Sequence, residues 1–130
     1  MVNDPIGDMI IRLKNASAVQ KESIAVPYSK LKEAVALSLK KAGFVEEVSK
    51  EGDGAEKMLV ISLRYLGGSA MIRGVQRISK PGRRLYAAVT DIHPVKYGKG
   101  ALILSTPRGI LTDSEARKLR AGGETLFKIW

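Results

Sequence analysis

The spacing of apolar residues switches repeatedly between the period of a helix and the period of a strand, which confines this chain to a mixed α+β architecture. Asn3 or Asp4 can cap a helix that Pro5 opens, and Ile6, Met9, Ile10 and Leu13 then recur on one face. SIAVP reads as a short strand stopped by Pro27. Ser29 caps a second helix, SKLKEAVALSLKKAG, with Leu31, Val35 and Leu39 as its stripe and Gly43 at its end. FVEEVSK and KMLVISLRYL have strand character, and EGDGAE between them supplies turn residues, so the two are expected to pair as a hairpin.

The paired glycines of LGGSA, at 66–70, mark the expected boundary between two small α/β lobes, residues 1–66 and 67–130. Beyond it, AMIRGVQRIS and LYAAVTDI flank the turn KPGRR, and ALILST follows the loop HPVKYGKG, which predicts three strands. Thr112 opens a capping box with Glu115, DSEARKLRA runs as a helix to Gly122, and ETLFKIW alternates like a closing strand. The expected order is helix, strand, helix and hairpin, then a mostly antiparallel sheet with one short helix. A length of 130 residues can bury a core, and with aromatics at only 5% that core must be largely aliphatic.

Charge is distributed unevenly over this plan. Residues 1–65 carry ten Lys and Arg against nine Asp and Glu, whereas residues 66–130 carry twelve against four, so nearly all of the net +9 falls in the second half. Clustered cations gain by releasing counterions from phosphates, which makes a polyanion the expected partner of that half. Other classes fare worse. Without cysteine there are no disulfides, thiolate metal sites or thiol nucleophiles, and the cytoplasm is the default compartment. The single histidine, His93, precedes Pro94 in a loop, and GxSxG, HExxH and Walker-type motifs are missing, so the chain reads as no enzyme, with neither cofactor nor metal. The carboxylate pairs Asp4 with Asp8 and Glu46 with Glu47 read as solubilising charges. The start carries an acid where a secretory leader would be basic, and no apolar run approaches the roughly 20 residues of a membrane span. DSEARKLRA sets only Leu119 and alanines opposite Arg117, Lys118 and Arg120, a poor face for a bilayer surface.

Nucleic acid suits the remaining groups. SKPGRR places Lys80, Arg83 and Arg84 in a turn from which long side chains reach successive phosphates, and Tyr86 offers a ring for a base or sugar. STPRG leaves the hydroxyls of Ser105 and Thr106 at a strand end, suited to 2′-hydroxyls and base edges, or equally to capping a turn. RAGGE permits a close backbone approach. Glu124 is out of character in so basic a setting. It either accepts from a base or sugar donor, as a specificity element, or pairs with Arg120 or Arg108, and composition favours the pair.

Taken together, DPIGDMIIRLKNA, VPYSKLK, RISKPGRRLY and LSTPRGILTDSEARKLRAGGE resemble, in order and spacing from Asp4 to Trp130, the bacterial small-subunit ribosomal protein eight family. The resemblance implies direct binding to the central domain of small-subunit ribosomal RNA as a primary assembly protein, in the cytoplasmic ribosome among neighbouring small-subunit proteins, by a chain that is a monomer when free. It also implies, in some bacteria, repression of its own operon's messenger by mimicry of that RNA site. The family's main RNA surface would fall on Ser105, Thr106, Gly109, Gly122, Gly123 and Glu124, with Tyr86 close by, and the amino-terminal lobe would add Asp4, Arg12, Asn15, Ser29, Lys30 and Lys32; Arg108, in the STPRG turn, is a further candidate RNA contact. On this reading Glu124 faces RNA. Three departures stand out: Pro107 replaces a serine and so removes a hydroxyl and an N–H, GKGA replaces Gly-Leu-Gly-Ile, and Thr125 replaces an aliphatic residue. The alternative reading is a general nucleic-acid module acting on DNA.

Overall fold

The computed structural model of the chain describes residues 4–130; Asn3, the other candidate cap, lies outside them. Helix α1 spans Pro5–Ala18, and Asp4 caps it by accepting the Gly7 N–H at 3.1 Å. Ile6, Met9, Ile10 and Leu13 form its buried face, as their spacing predicts. Strand β1 (Ser23–Pro27) leads to helix α2 (Lys30–Lys41), where Ser29 Oγ accepts the Lys32 N–H at 3.1 Å. The buried face of α2 is Val35, Ala36 and Leu39, while Leu31, expected on the stripe, sits in the first turn at the margin of the packed face and stays exposed. Gly43 ends the helix with φ +87: its N–H reaches the Lys40 carbonyl and the Phe44 N–H reaches that of Leu39, a doubly bonded left-handed cap that turns Phe44 into the core.

Strands β2 (Val45–Glu51) and β3 (Met58–Leu63) pair antiparallel, and β3 lies between β1 and β2. The long strand expected through Leu66 stops at Leu63. Tyr65–Leu66 (β4) and Ser69–Ala70 (β5) form a separate small hairpin whose turn is Gly67–Gly68, both with positive φ, as a two-residue hairpin turn requires.

A second, five-stranded antiparallel sheet holds β6 (Val75–Arg77), β7 (Tyr86–Ala87), β8 (Ala101–Thr106), β9 (Gly109–Thr112) and β10 (Gly123–Ile129). β10 is its centre: β8 runs along one side with β9 beyond it, and β6 and β7 share the other side. β9 is not among the expected strands, and β7 is shorter than LYAAVTDI suggests because Val89–Asp91 coils into one 3-10 turn. β10 does not simply alternate either. A bulge between Thr125 and Phe127 leaves Thr125, Leu126 and Phe127 all buried.

Helix α3 (Asp113–Leu119) carries the expected capping box between Thr112 and Glu115. It ends before Gly122, on Arg120, whose left-handed φ of 53° lets the Ala121 N–H close back on the Ala116 carbonyl at 3.0 Å. A β-carbon is disfavoured in that conformation, so Arg120→Gly should raise stability by about 1 kcal/mol, read as a higher midpoint in urea.

The main apolar cluster is shared by both sheets, joining the inner faces of α1 and α2 to Leu59 and Ile61 and onward to Ile103, Phe127 and Ile129. Leu102, Leu104 and Leu111 point to the opposite face, where they pack with Ile92, Val95 and Ala116. One polar clamp reinforces this junction. The Arg77 guanidinium donates to both carboxylate oxygens of Asp4, at 3.0 and 2.9 Å, and to the Leu126 carbonyl at 2.6 Å, tying the start of α1 to the bulge of β10. Asp4 is therefore no solubilising charge, unlike Asp8, Glu46 and Glu47, whose ion pairs with Arg12, Arg64 and Lys40 lie at the surface.

That hydrogen bond from Arg77 holds the Asp4 carboxyl below its ordinary value near 3.8. A carboxylate depressed by folding stabilises the fold above its unfolded pKa, and the contribution is lost as pH falls through the lower, folded value. Asp4→Asn keeps a capping side chain but removes the ion pair, and should cost about 2 kcal/mol at pH 7. Denaturant unfolding of the two proteins should converge as pH drops below about 3.8.

Candidate nucleic-acid interface

The register of the central strand aligns three of the expected residues. Glu124 on β10 lies opposite Ser105 on β8 and opposite Tyr86 on β7, so the three side chains share one face of the sheet in the order Tyr86, Glu124, Ser105. Tyr86 is largely exposed, Ser105 half-buried, and the Glu124 side chain is only 14% exposed. The glycines before Glu124 make this closeness possible. A β-carbon on Gly122 would stand 2.5 Å from the Ala87 carbonyl oxygen, and one on Gly123 would overlap that of Ser105. The close approach expected of RAGGE is thus made between strands inside the protein.

At one end of the row, Lys80-Pro81-Gly82-Arg83 forms a tight turn in which Lys80 and Arg83 exchange backbone hydrogen bonds and Gly82 takes φ +87. Lys80, Arg83 and Arg84 are exposed. The turn is anchored from below. Ser79, fully buried, donates to the Leu85 carbonyl at 3.0 Å and accepts the Leu85 N–H at 2.8 Å, while Thr125 donates to the same carbonyl through its N–H and its hydroxyl. Thr125 therefore fixes the basic turn to β10. Sequence reasoning missed Ser79, because a serine before a turn carries no signal of what it will hold.

Glu124 does form an ion pair, but with neither Arg120 nor Arg108. Arg84 Nη1 lies 3.4 and 3.2 Å from its two oxygens. The reason is strand geometry: Arg84 is two residues before Tyr86 and so falls on the same face as Tyr86 and its partner Glu124. A carboxylate has about four lone-pair positions, and one shared N–H leaves room for a further donor.

At the other end, Thr106 is partly committed. Its hydroxyl donates to the Gly109 carbonyl at 2.8 Å and accepts the Arg108 N–H at 3.1 Å, bracing the turn in which Pro107 takes the first corner and Gly109 has φ +111. Proline suits a corner that donates no ladder bond. Arg108 and Gly109 are exposed at the tip.

In the amino-terminal half, Arg12 and Asn15 line a groove between α1 and β1 together with Lys21, a cation that the sequence did not single out. Ser29 and Lys32 are partly engaged within the fold, one as the α2 cap and the other through a bond from its amine to the Pro27 carbonyl at 2.9 Å; Lys30 is exposed beside them. Asp4 is held by Arg77, with Lys80 near enough to help lower its pKa, which sets the start of α1 close to the basic turn.

The family model described as Ribosomal protein S8 matches residues 4–130, the whole of the described chain. The chain belongs to the ribosomal protein S8 family. It is 46% identical over 128 residues, 98% of each chain, to the small ribosomal subunit protein uS8 of Cupriavidus metallidurans, and 45% identical over the full length of both chains to that of Nitratidesulfovibrio vulgaris. The uS8 protein of Clostridium novyi is 43% identical over 130 residues, all of this chain and 99% of the other. Ribosomal protein S8 is a structural protein, so the expectation of no catalytic role holds, and the exposed His93 needs no catalytic account. No helix among the described residues is long and apolar enough to cross a membrane.

Proposed function

We propose that the chain binds the central domain of small-subunit ribosomal RNA directly and supports assembly of the small subunit in the cytoplasm. The observation that carries this reading is the row Tyr86, Glu124 and Ser105 beside an anchored turn of three exposed cations. Lys80, Arg83 and Arg84 supply phosphate contacts, which give affinity without selecting sequence. The row reads shape: a ring for an unstacked base, a hydroxyl, and a carboxylate that accepts from a base or sugar donor but repels a misplaced phosphate. The chain works as a monomer divided at 66/67, with residues 67–130 carrying the main RNA surface and residues 1–66 adding Arg12, Asn15 and Lys30. A messenger folded like the ribosomal site would fit the same surface, which makes repression of its own operon part of the proposal.

An irregular RNA helix fits this surface better than duplex DNA, whose regular backbone would meet the cations but present no splayed base to Tyr86. A bulged RNA helix should therefore outcompete duplex DNA in a fluorescence-anisotropy assay, and equal competition would favour the general DNA-binding reading. Glu124→Ala should narrow the preference for the correct RNA over competitors by roughly tenfold, the scale of one specific hydrogen-bonded contact. An equal loss on every RNA would rule out selection by Glu124.

A further inference from the structure

The end of the five-stranded sheet remote from Glu124 carries a second surface that the RNA reading leaves unused. There Phe44, Leu66, Met71 and Trp130 line an open groove, Arg73, Lys96 and Lys99 contribute cations, and among the described residues no acidic side chain lines it. Its floor is firmly set, because the Trp130 carbonyl accepts the N–H groups of Arg73 and Gly74 at 2.6 and 2.9 Å. Its lip is apolar. Leu66, at the tip of the β4–β5 hairpin, is 68% exposed.

An exposed leucine continuous with the apolar lining of a groove, Phe44, Met71 and Trp130, marks a surface that another molecule covers. Side-chain chemistry separates protein from RNA as that molecule. Stacking a base needs an open ring face, and the Lys96 amine already lies 4.8 Å from the centre of the Trp130 ring. An aliphatic lip gives phosphate nothing in exchange for its water, whereas an apolar side chain flanked by carboxylates matches both floor and rim.

We propose that this groove docks an acidic segment of a neighbouring small-subunit protein, with an apolar side chain against Leu66, Met71 and Trp130 and its carboxylates against Arg73, Lys96 and Lys99. The proposal rests on the reading that the chain is assembled into the small subunit. Because β10 separates the groove from Glu124 by roughly 15 Å of strand, RNA and the acidic segment can be held together.

The test is site-specific photocrosslinking in assembled small subunits, with p-benzoylphenylalanine replacing Leu66 in one preparation and Tyr86 in another. The probe at 66 is expected to couple to a peptide rich in Asp and Glu from another subunit protein, and Lys96→Glu with Lys99→Glu should abolish most of that yield. The probe at 86 is expected to couple to RNA with or without those changes. Coupling of the probe at 66 to RNA, to a second copy of this chain, or to nothing, while the probe at 86 still reaches RNA, would overturn the docking proposal and leave the RNA reading standing. Failure of the chain to enter the subunit, or of the probe at 86 to reach RNA, would overturn the RNA reading and remove the basis of the docking proposal with it.

Discussion

Gly123→Ala is expected to destabilise the fold by about 3 kcal/mol and to lower the melting temperature by roughly 10 °C. The cause is space. Gly123 has no left-handed φ to protect, yet its absent β-carbon would overlap the carbonyl oxygen of Ser105, which belongs to β8, a strand paired on both sides. That backbone cannot retreat without parting β8 from β9 or β10. Gly109→Ala is the informative control: nothing lies within 4 Å of its absent β-carbon, but its φ is +111, so conformational strain alone should cost about 1 kcal/mol. Thermal unfolding followed by circular dichroism measures both. If Gly123→Ala melts within a degree or two of the parent, β10 does not lie so tightly between β7 and β8. Since the same closeness places Tyr86, Glu124 and Ser105 side by side, the variant should also lose RNA affinity below its melting temperature.

The second large effect is on RNA affinity. Arg83→Ala combined with Arg84→Ala should weaken binding roughly tenfold or more at moderate salt and reduce the slope of log affinity against log salt by about 2, one for each phosphate contact removed. The two arginines should be separable. Arg83 is an exposed cation on the basic turn, so its loss should weaken all RNAs alike. Arg84 also pairs with a Glu124 carboxylate that is only 14% exposed, and removing it leaves that charge uncompensated at the edge of the site. Arg84→Ala should therefore change selectivity as well as slope. An unchanged slope in the double variant would place the phosphate backbone elsewhere.

Much of the fold was legible because its signals are local. Pro5 after Asp4, Ser29, Gly43, and the Thr112–Glu115 box each act within one turn of a helix, and each appears where the sequence puts it. The strands were less legible. β9 and the bulge of β10 depend on which strand lies alongside, and neither GILT nor ETLFKIW encodes its neighbour. The site divides in the same way. The Pro-Gly turn and its cations follow from residue types, whereas the choice of Arg84 over Arg120 or Arg108 as the partner of Glu124 follows from the β7–β10 register. The engagement of Asp4 by Arg77 joins residues 73 positions apart, a pairing that no local pattern carries.

The central claim, that this face grips one irregular RNA site, is tested most directly by chemical footprinting of the purified chain on small-subunit ribosomal RNA at moderate ionic strength. Protection confined to one bulged helical region of the central domain, shrinking for Glu124→Ala and fading for the double arginine variant, is the expected result. Protection scattered over many helices, or none from a properly folded chain, would contradict it.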